Sequence, residues 1–431
     1  MKVWPKLFMI LVVGYLTMTR AFAYLGVPPA KMFLGEIAIG AFLLTQPRAV
    51  LRGWIEPLLQ PSPLSEIAIA FSCFLAFGLL ELLRGLGKEY PPILALQGFA
   101  FHYYPICFFI GLWIASVDRS LLRRTVHLAA WCNGLYGIAY IIFLNRIPIA
   151  VPGTVDVQIF GQPEGSSIVV LGLLCLEKRV SRVWHLLLLN LLVMLCLQVR
   201  AEYLGFILGA MLWCFLTRRV GRLVGAFAAV AALLVLGVVA DVRAPAPVTR
   251  GGQISSREII GRVVAPFDQE LAQQWDPDAK SQAGTAMWRV RWWTQIWEET
   301  HRDIETAFLG QGYGYPLAAL VGYKERDIRT PHSVFFYALG YGGWIGVAVF
   351  FALQFALART LWHSWHLTGN PFGPVIWLTF LSGAFFGNSF ETPFGAVPFY
   401  VLLGMAAAPL YAKVSSYATF TRTYILQTAG R

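Results

Sequence analysis

The sequence predicts an all-α polytopic membrane protein of about twelve transmembrane helices, with one long extracytoplasmic loop containing short helices. Three observations lead there. Apolar residues make up 57% of the 431-residue chain and charged residues only 13%, whereas a soluble domain carries roughly a quarter charged. Apolar runs of spanning length recur between 7 and 240 and again between 332 and 413, too often for buried core helices. The runs are continuous rather than alternating. Because a backbone in hydrocarbon must satisfy its own hydrogen bonds, helices fit them better than a closed barrel.

Spans are expected near 7–24, 33–46, 65–83, 97–116, 124–144, 164–177, 183–199, 202–217, 222–240, 332–358, 371–387 and 395–413. This divides one membrane domain into nine spans over 1–240, a loop over 241–331, and three spans with a tail over 332–431. The first span begins after Lys2 and Lys6 and ends near Ala21-Phe22-Ala23, which imitates a cleavable signal peptide. Arg20 just before that site, and the apolar segment soon after it, favour a retained span.

Basic residues cluster on one set of connections: Arg48 and Arg52, Arg119 with Arg123 and Arg124, Lys178 with Arg179 and Arg182, Arg218 with Arg219 and Arg222, then Arg359 and Lys413. Short cytoplasmic loops carry such clusters. Both termini are therefore expected in the cytoplasm and the 241–331 loop outside, as in a bacterial inner membrane. That loop holds 11 Lys or Arg against 12 Asp or Glu. The net charge of +11 is thus a topology signal, and no nucleic-acid partner is expected. All six cysteines (Cys73, Cys107, Cys132, Cys175, Cys196 and Cys214) fall in or beside apolar runs, so a disulfide framework and a thiol metal cluster are unsupported.

Several polar groups converge on the outer face of this topology. Gln198-Val199-Arg200-Ala201-Glu202 is a very short outer turn. A guanidinium there can grip a phosphate with two parallel N–H donors or simply anchor the span at the interface. The stretch Met287 to Trp297 reads as a helix, with Trp288, Trp292 and Ile296 spaced by four, as are Arg289, Trp293 and Trp297. Its four tryptophans suit a helix lying at headgroup level, which would hold Arg289 or Arg291 near a lipid-linked phosphate. Phe308-Leu309-Gly310-Gln311-Gly312-Tyr313-Gly314 lacks a nucleotide-binding spacing and reads as a tight, close-packed turn. His332 sits at the mouth of the next span, where an imidazole can take a proton from an attacking hydroxyl or merely bond the helix start. Glu391, in the last outer connection, is a candidate supporting acid, base or His-orienting group. No HExxH, DxD or carboxylate cluster points to a metal, and no cofactor is expected.

The order of these residues resembles the O-antigen ligase family and its related surface-polysaccharide polymerases. The likeness is carried by Phe160-Gly161-Gln162-Pro163-Glu164, by Arg200 with Ala201-Glu202-Tyr203-Leu204-Gly205, and by Arg289 with Trp293. It continues through Phe308 to Gly314, Pro331-His332-Ser333, and Gly340-Tyr341-Gly342-Gly343-Trp344-Ile345-Gly346. It covers about 160–350, while the first 150 residues match only generically. Ser333 stands where the family commonly has Asn.

The resemblance implies transfer of a glycan from an undecaprenyl-diphosphate carrier to a hydroxyl of a lipid-anchored or glycan acceptor, outside the cytoplasm. Arg200 and Arg289 would hold the diphosphate, with Arg291 competing for the second place, and His332 would be the base in a metal-independent reaction. A polymerase of lipid-linked repeat units is the close rival, and protein glycosylation is a third reading. A secondary transporter or lipid flippase is the rival from another class, with Glu36 as its obvious mid-span acid.

Overall fold

A computed structural model describes residues 3–26, 32–59, 62–152, 154, 157–241, 243–245, 253–264, 268–275, 279–323 and 330–429, although side chains within parts of 222–233, 262–263, 279–286 and 412–429 are left aside. The Gly251-Gly252 pair, which marks the opening of the insert as irregular in sequence, lies outside them. The chain is overwhelmingly helical. In its first half run α1 (Val3–Ala23), α2 (Leu34–Thr45), α3 (Pro47–Trp54), α4 (Glu56–Leu59), α5 (Ser65–Gly87), α6 (Pro92–Tyr103), α7 (Ile106–Val117), α8 (Leu121–Ile142), α9 (Ser166–Leu176), α10 (Trp184–Leu197), α11 (Arg200–Thr217) and α12 (Val220–Val239).

The insert between α12 and the late spans is more elaborate than a loop with short helices. A two-stranded antiparallel ribbon pairs β1 (Arg243–Pro245) with β2 (Gln253–Ser255). Then follow α13 (Ser256–Val264), α14 (Gln269–Trp275), the 22-residue α15 (Ala279–Thr300), α16 (Ile304–Leu309) and a 3-10 turn at Leu317–Val321. The chain closes with α17 (Val334–Thr368), α18 (Phe372–Ala384) and α19 (Pro393–Ala429).

Among the described residues, five helices are long and apolar enough to cross a membrane, or seven if two bent pairs each count as one span. The expected spans at 33–46 and 97–116 both fall on the bent pairs. The first turns by 91° where α2 meets α3, and the second by 45° between α6 and α7. Pro47 and Pro105 stand at these breaks. Each lacks an amide hydrogen and so cannot continue the helical hydrogen-bond ladder. Before Pro47, Gln46 has also left helical geometry (φ -130°, ψ 44°), as the residue before a proline tends to do. Three further apolar helices, α9, α10 and α18, are shorter than a span.

Small residues let the helices meet closely, as apolar solvent provides no hydrophobic drive between them. Gly111 of α7 packs on the carbonyl of Val401, and Gly404 of α19 on that of Phe108. Gly205 and Gly209 of α11 sit against Thr379 of α18. Aromatic rings fill the centre, where Phe74, Phe101 and Phe350 lie mutually edge-on, tilted or stacked.

The two ends of the bundle differ. At one end of α5, Glu66 pairs with Arg359 at 3.3 Å. At its other end, Arg84 donates to the Leu309 carbonyl of the insert at 2.7 Å and pairs with Glu81 at 2.6 Å. With 23 residues at ~1.5 Å each, α5 separates these ends by roughly 35 Å, about a hydrocarbon thickness.

Candidate active site

Six separated stretches of chain meet at the insert end of the bundle, at 15–19, 164–168, 198–205, 289, 332 and 379–395. Gln198 takes a left-handed conformation (φ 54°) and closes α10. This lets α11 begin at Arg200 after a very short turn. The 160–165 segment folds onto a break in α1 at Thr19, whose hydroxyl donates to the Gln162 carbonyl at 3.0 Å. Gly161 and Gly165 allow that approach, since a side chain at either would collide with the Met18 or Leu16 carbonyl. Behind them Asn133, Ser166 and Asn190 form a buried hydrogen-bonded group, and the Ser167 amide donates to Glu202 at 2.9 Å.

The insert is fastened over this end by its aromatic helix. Trp292 is fully buried and donates to the Leu317 carbonyl at 2.8 Å. Trp293 donates to the Pro331 carbonyl at 2.7 Å and stacks on Phe336 at 5.2 Å. These rings pack against protein, so the helix forms a lid on this end of the bundle. Only Trp297 of the four is exposed, because the spacing of four that marks an interfacial helix also marks a packed face.

The glycine-rich turn is as close-packed as expected. Gly310, Gly312 and Gly314 all have positive φ, and the Gln311 and Gly312 amides donate to the Gly340 and Tyr341 carbonyls at 3.0 and 2.9 Å. The turn docks on a kink of α17 at Gly343 (φ 60°), where any Cβ would strike the Phe308 and Gly310 backbone.

These contacts enclose a cavity of about 500 Å³ whose lining includes Glu164, Arg200, Glu202, Arg289 and His332. The short helices α9, α10 and α18 each contribute a terminus to it, through Ser167, Gln198 and Gly383. Arg289 is steadied by donating to the Phe386 carbonyl at 3.0 Å. Arg291, two residues on, is exposed and lines neither this cavity nor its neighbour.

His332 holds a left-handed backbone (φ 52°). Its ring meets the edge of Trp288 at 6.1 Å. Burial, followed by the charges of Arg289 and Arg20, pushes the imidazole down to about 4, so it is neutral near pH 7 and free to accept a proton. A second cavity of about 230 Å³ adjoins the first and shares His332, Asn388 and Phe394 with it. Glu391 lines this smaller space and makes no hydrogen bond to His332. Burial raises its carboxyl to about 8, only partly offset by its own amide and that of Phe390. Among the described residues no three His, Cys, Asp or Glu side chains form a metal-sized group.

Arg20 and Asn388 are lining residues that sequence reasoning did not select. Arg20 entered only as an argument against signal cleavage, although its place at the outer end of the first span was the signal that could have found it. Asn388 lies three residues before Glu391 in the last outer connection, where nothing in its spacing sets it apart.

Residues 185–351 match the family model described as O-Antigen ligase. A search of curated proteins finds no match.

Proposed function

From an O-antigen ligase-like, multi-pass membrane chain we propose an enzyme that transfers a glycan from undecaprenyl diphosphate to an acceptor hydroxyl on the extracytoplasmic face of the inner membrane. The carrying observation is that Arg200, Arg289 and His332, far apart in sequence, line one cavity. In this reading the acceptor oxygen attacks the anomeric carbon of the donor glycan and its proton passes to His332. The bond from that carbon to the diphosphate oxygen breaks, and its electron pair leaves with undecaprenyl diphosphate. Arg200 and Arg289 stabilise the charge gathering on the leaving group. The arriving diphosphate also offsets the arginine charges that disfavour protonation of His332, so the base strengthens once the donor is bound. No step calls for a cofactor, and the donor's own diphosphate supplies the driving force. Full topology in this proposal is the dozen-span arrangement, in which α8, α12 and the shorter apolar helices α9, α10 and α18 join the five long helices and the two bent pairs.

The test is a gel profile of lipid-linked and surface glycans in a deletion host carrying wild type or His332→Ala. Wild type should transfer long chains to the acceptor. His332→Ala should leave them on undecaprenyl diphosphate, with transfer lower by about 10²–10⁴-fold. An acceptor bearing a single repeat in the deletion host, restored to long chains by wild type, would identify a polymerase instead. Equal profiles for variant and wild type would remove His332 as base. In extracts, EDTA should leave transfer unchanged.

A further inference from the structure

The diphosphate-binding cavity leaves the smaller one on the other side of His332 without a role. The walls of the two differ in chemistry. The larger contributes two arginines, Arg200 and Arg289, beside Glu164 and Glu202, the second of which already accepts from the Ser167 amide, and a glycine-lined margin at Gly383, Gly387 and Gly395. Two guanidiniums there suit an anion. The smaller is lined by Tyr24, Phe33, Tyr104, Tyr337 and Tyr341 together with Gln97. Ring faces of this kind pack on the C–H faces of a pyranose, while hydroxyls and amides meet its oxygens. Two carboxyl groups, Glu36 and Glu391, face this space against one arginine, Arg20, a balance that does not favour a second diphosphate.

The two carboxyls are not equivalent. Glu36 is occupied: it accepts from the Phe33 amide at 3.1 Å and from the Tyr104 hydroxyl at 2.9 Å. Glu391 is only 7% exposed; the amides of Glu391 and Phe390 lie near its carboxyl, but neither side-chain oxygen makes a hydrogen bond of good geometry among the described residues. Buried polar groups in native proteins are nearly always paired, so a carboxyl left without a well-formed hydrogen bond in the wall of a cavity marks a place where a small side-chain shift would meet a ligand hydroxyl. At about 230 Å³ the space falls below that of drug-sized pockets and suits one sugar ring rather than a chain. The shared wall at His332 and Asn388 puts a ring seated there beside the base.

We infer that the smaller cavity seats the terminal sugar of the acceptor, and that Glu391 binds one of its hydroxyls so that another faces His332. This rests on the glycan-transfer reading. Glu391 is then a specificity-determining residue: it selects which hydroxyl is presented, and the rest of the acceptor lies outside the cavity.

The experiment uses the full-length protein in nanodiscs. The donor is undecaprenyl-diphosphate glycan extracted from the deletion host, and the acceptor is that host's unmodified surface-glycan fraction. Methyl glucoside, galactoside and mannoside serve as competing single sugars. At least one should inhibit competitively against acceptor but not against donor. Glu391→Ala should raise the acceptor KM about tenfold or more and leave the donor KM within about twofold, with Glu391→Gln falling between. Quenching of tryptophan fluorescence by undecaprenyl diphosphate reports that each variant is folded. Should Glu391→Ala fail that control, Ala318→Leu narrows the same cavity and should give the same rise in acceptor KM. Unchanged acceptor KM in a folded variant, or a rise in donor KM instead, overturns the acceptor seat while leaving glycan transfer intact. A wild-type protein that moves no glycan overturns the transfer reading and the seat with it.

Discussion

Arg289 and Arg291 stand two residues apart on α15, and positions i and i+2 of a helix do not share a face. The face with Arg289 also carries Trp293, which is fastened to the Pro331 carbonyl and to Phe336. Arg289 is therefore turned to the cavity, while Arg291 is exposed. Charge-assisted contacts from a guanidinium to phosphate are worth roughly 1.5–3 kcal/mol. Arg289→Ala should accordingly lower kcat/KM for the lipid-linked donor by about 10–100-fold, and Arg291→Ala should stay near wild type. Arg289→Lys should recover only part of the loss, because a point charge lacks the paired donors. Kinetics of the three variants with one donor preparation checks this. Equal losses for both alanine variants would mean that net charge on the insert, rather than a placed guanidinium, serves the donor.

The docking of the glycine-rich turn on α17 belongs to the scale of elements, since it sets where the segment carrying His332 begins. Gly343 holds φ 60° inside the helix, with the Phe308 carbonyl and Gly310 amide pressed against it. A side chain there would both strain the backbone and push the turn away. Gly343→Ala should cost roughly 1–3 kcal/mol, lower the melting temperature of the detergent-solubilised protein, and reduce transfer. Gly87→Ala, at a site open to space, is the control and should do neither. This pairing was half legible in the sequence: each glycine run stood out as a motif, and the first read correctly as a tight turn. That the two bind one another did not follow from either. The bends at Gln46-Pro47 and Tyr104-Pro105 were obscured because hydropathy records apolar length and is indifferent to direction. For the tryptophans of α15 the spacing located a face without saying which protein segments cover it, here Leu317, Pro331 and Phe336. Arg200, Arg289 and His332 were legible because apolar surroundings make each polar residue conspicuous. The smaller cavity was not, since its walls come from α1, α2, α6, α17, α19 and the connections between them, which no spacing links.

Across the whole molecule, charge and architecture agree on one asymmetry. The cavities gather at the end where Arg84 holds the insert. The far end has Arg359 on Glu66, and Arg123 on Glu177 at 2.6 Å. The insert carries almost no net charge, whereas the clusters at 119–124, 178–182 and 218–222 are strongly basic. A basic end resists translocation, so it should stay in the cytoplasm and leave the cavity end outside. Cysteine labelling turns this into a measurement. In a chain whose six native cysteines are replaced, Met287→Cys marks the insert and Arg124→Cys marks the basic end, both at exposed positions. A membrane-impermeant maleimide should label Met287→Cys in intact spheroplasts and Arg124→Cys only after lysis. The reverse pattern would place Arg200, Arg289 and His332 on the cytoplasmic side, where lipid-linked precursors are built rather than handed on. The same residues would then have to be read as acting before export of the glycan. The labelling pattern therefore tests the direction of the reaction's setting independently of any activity assay.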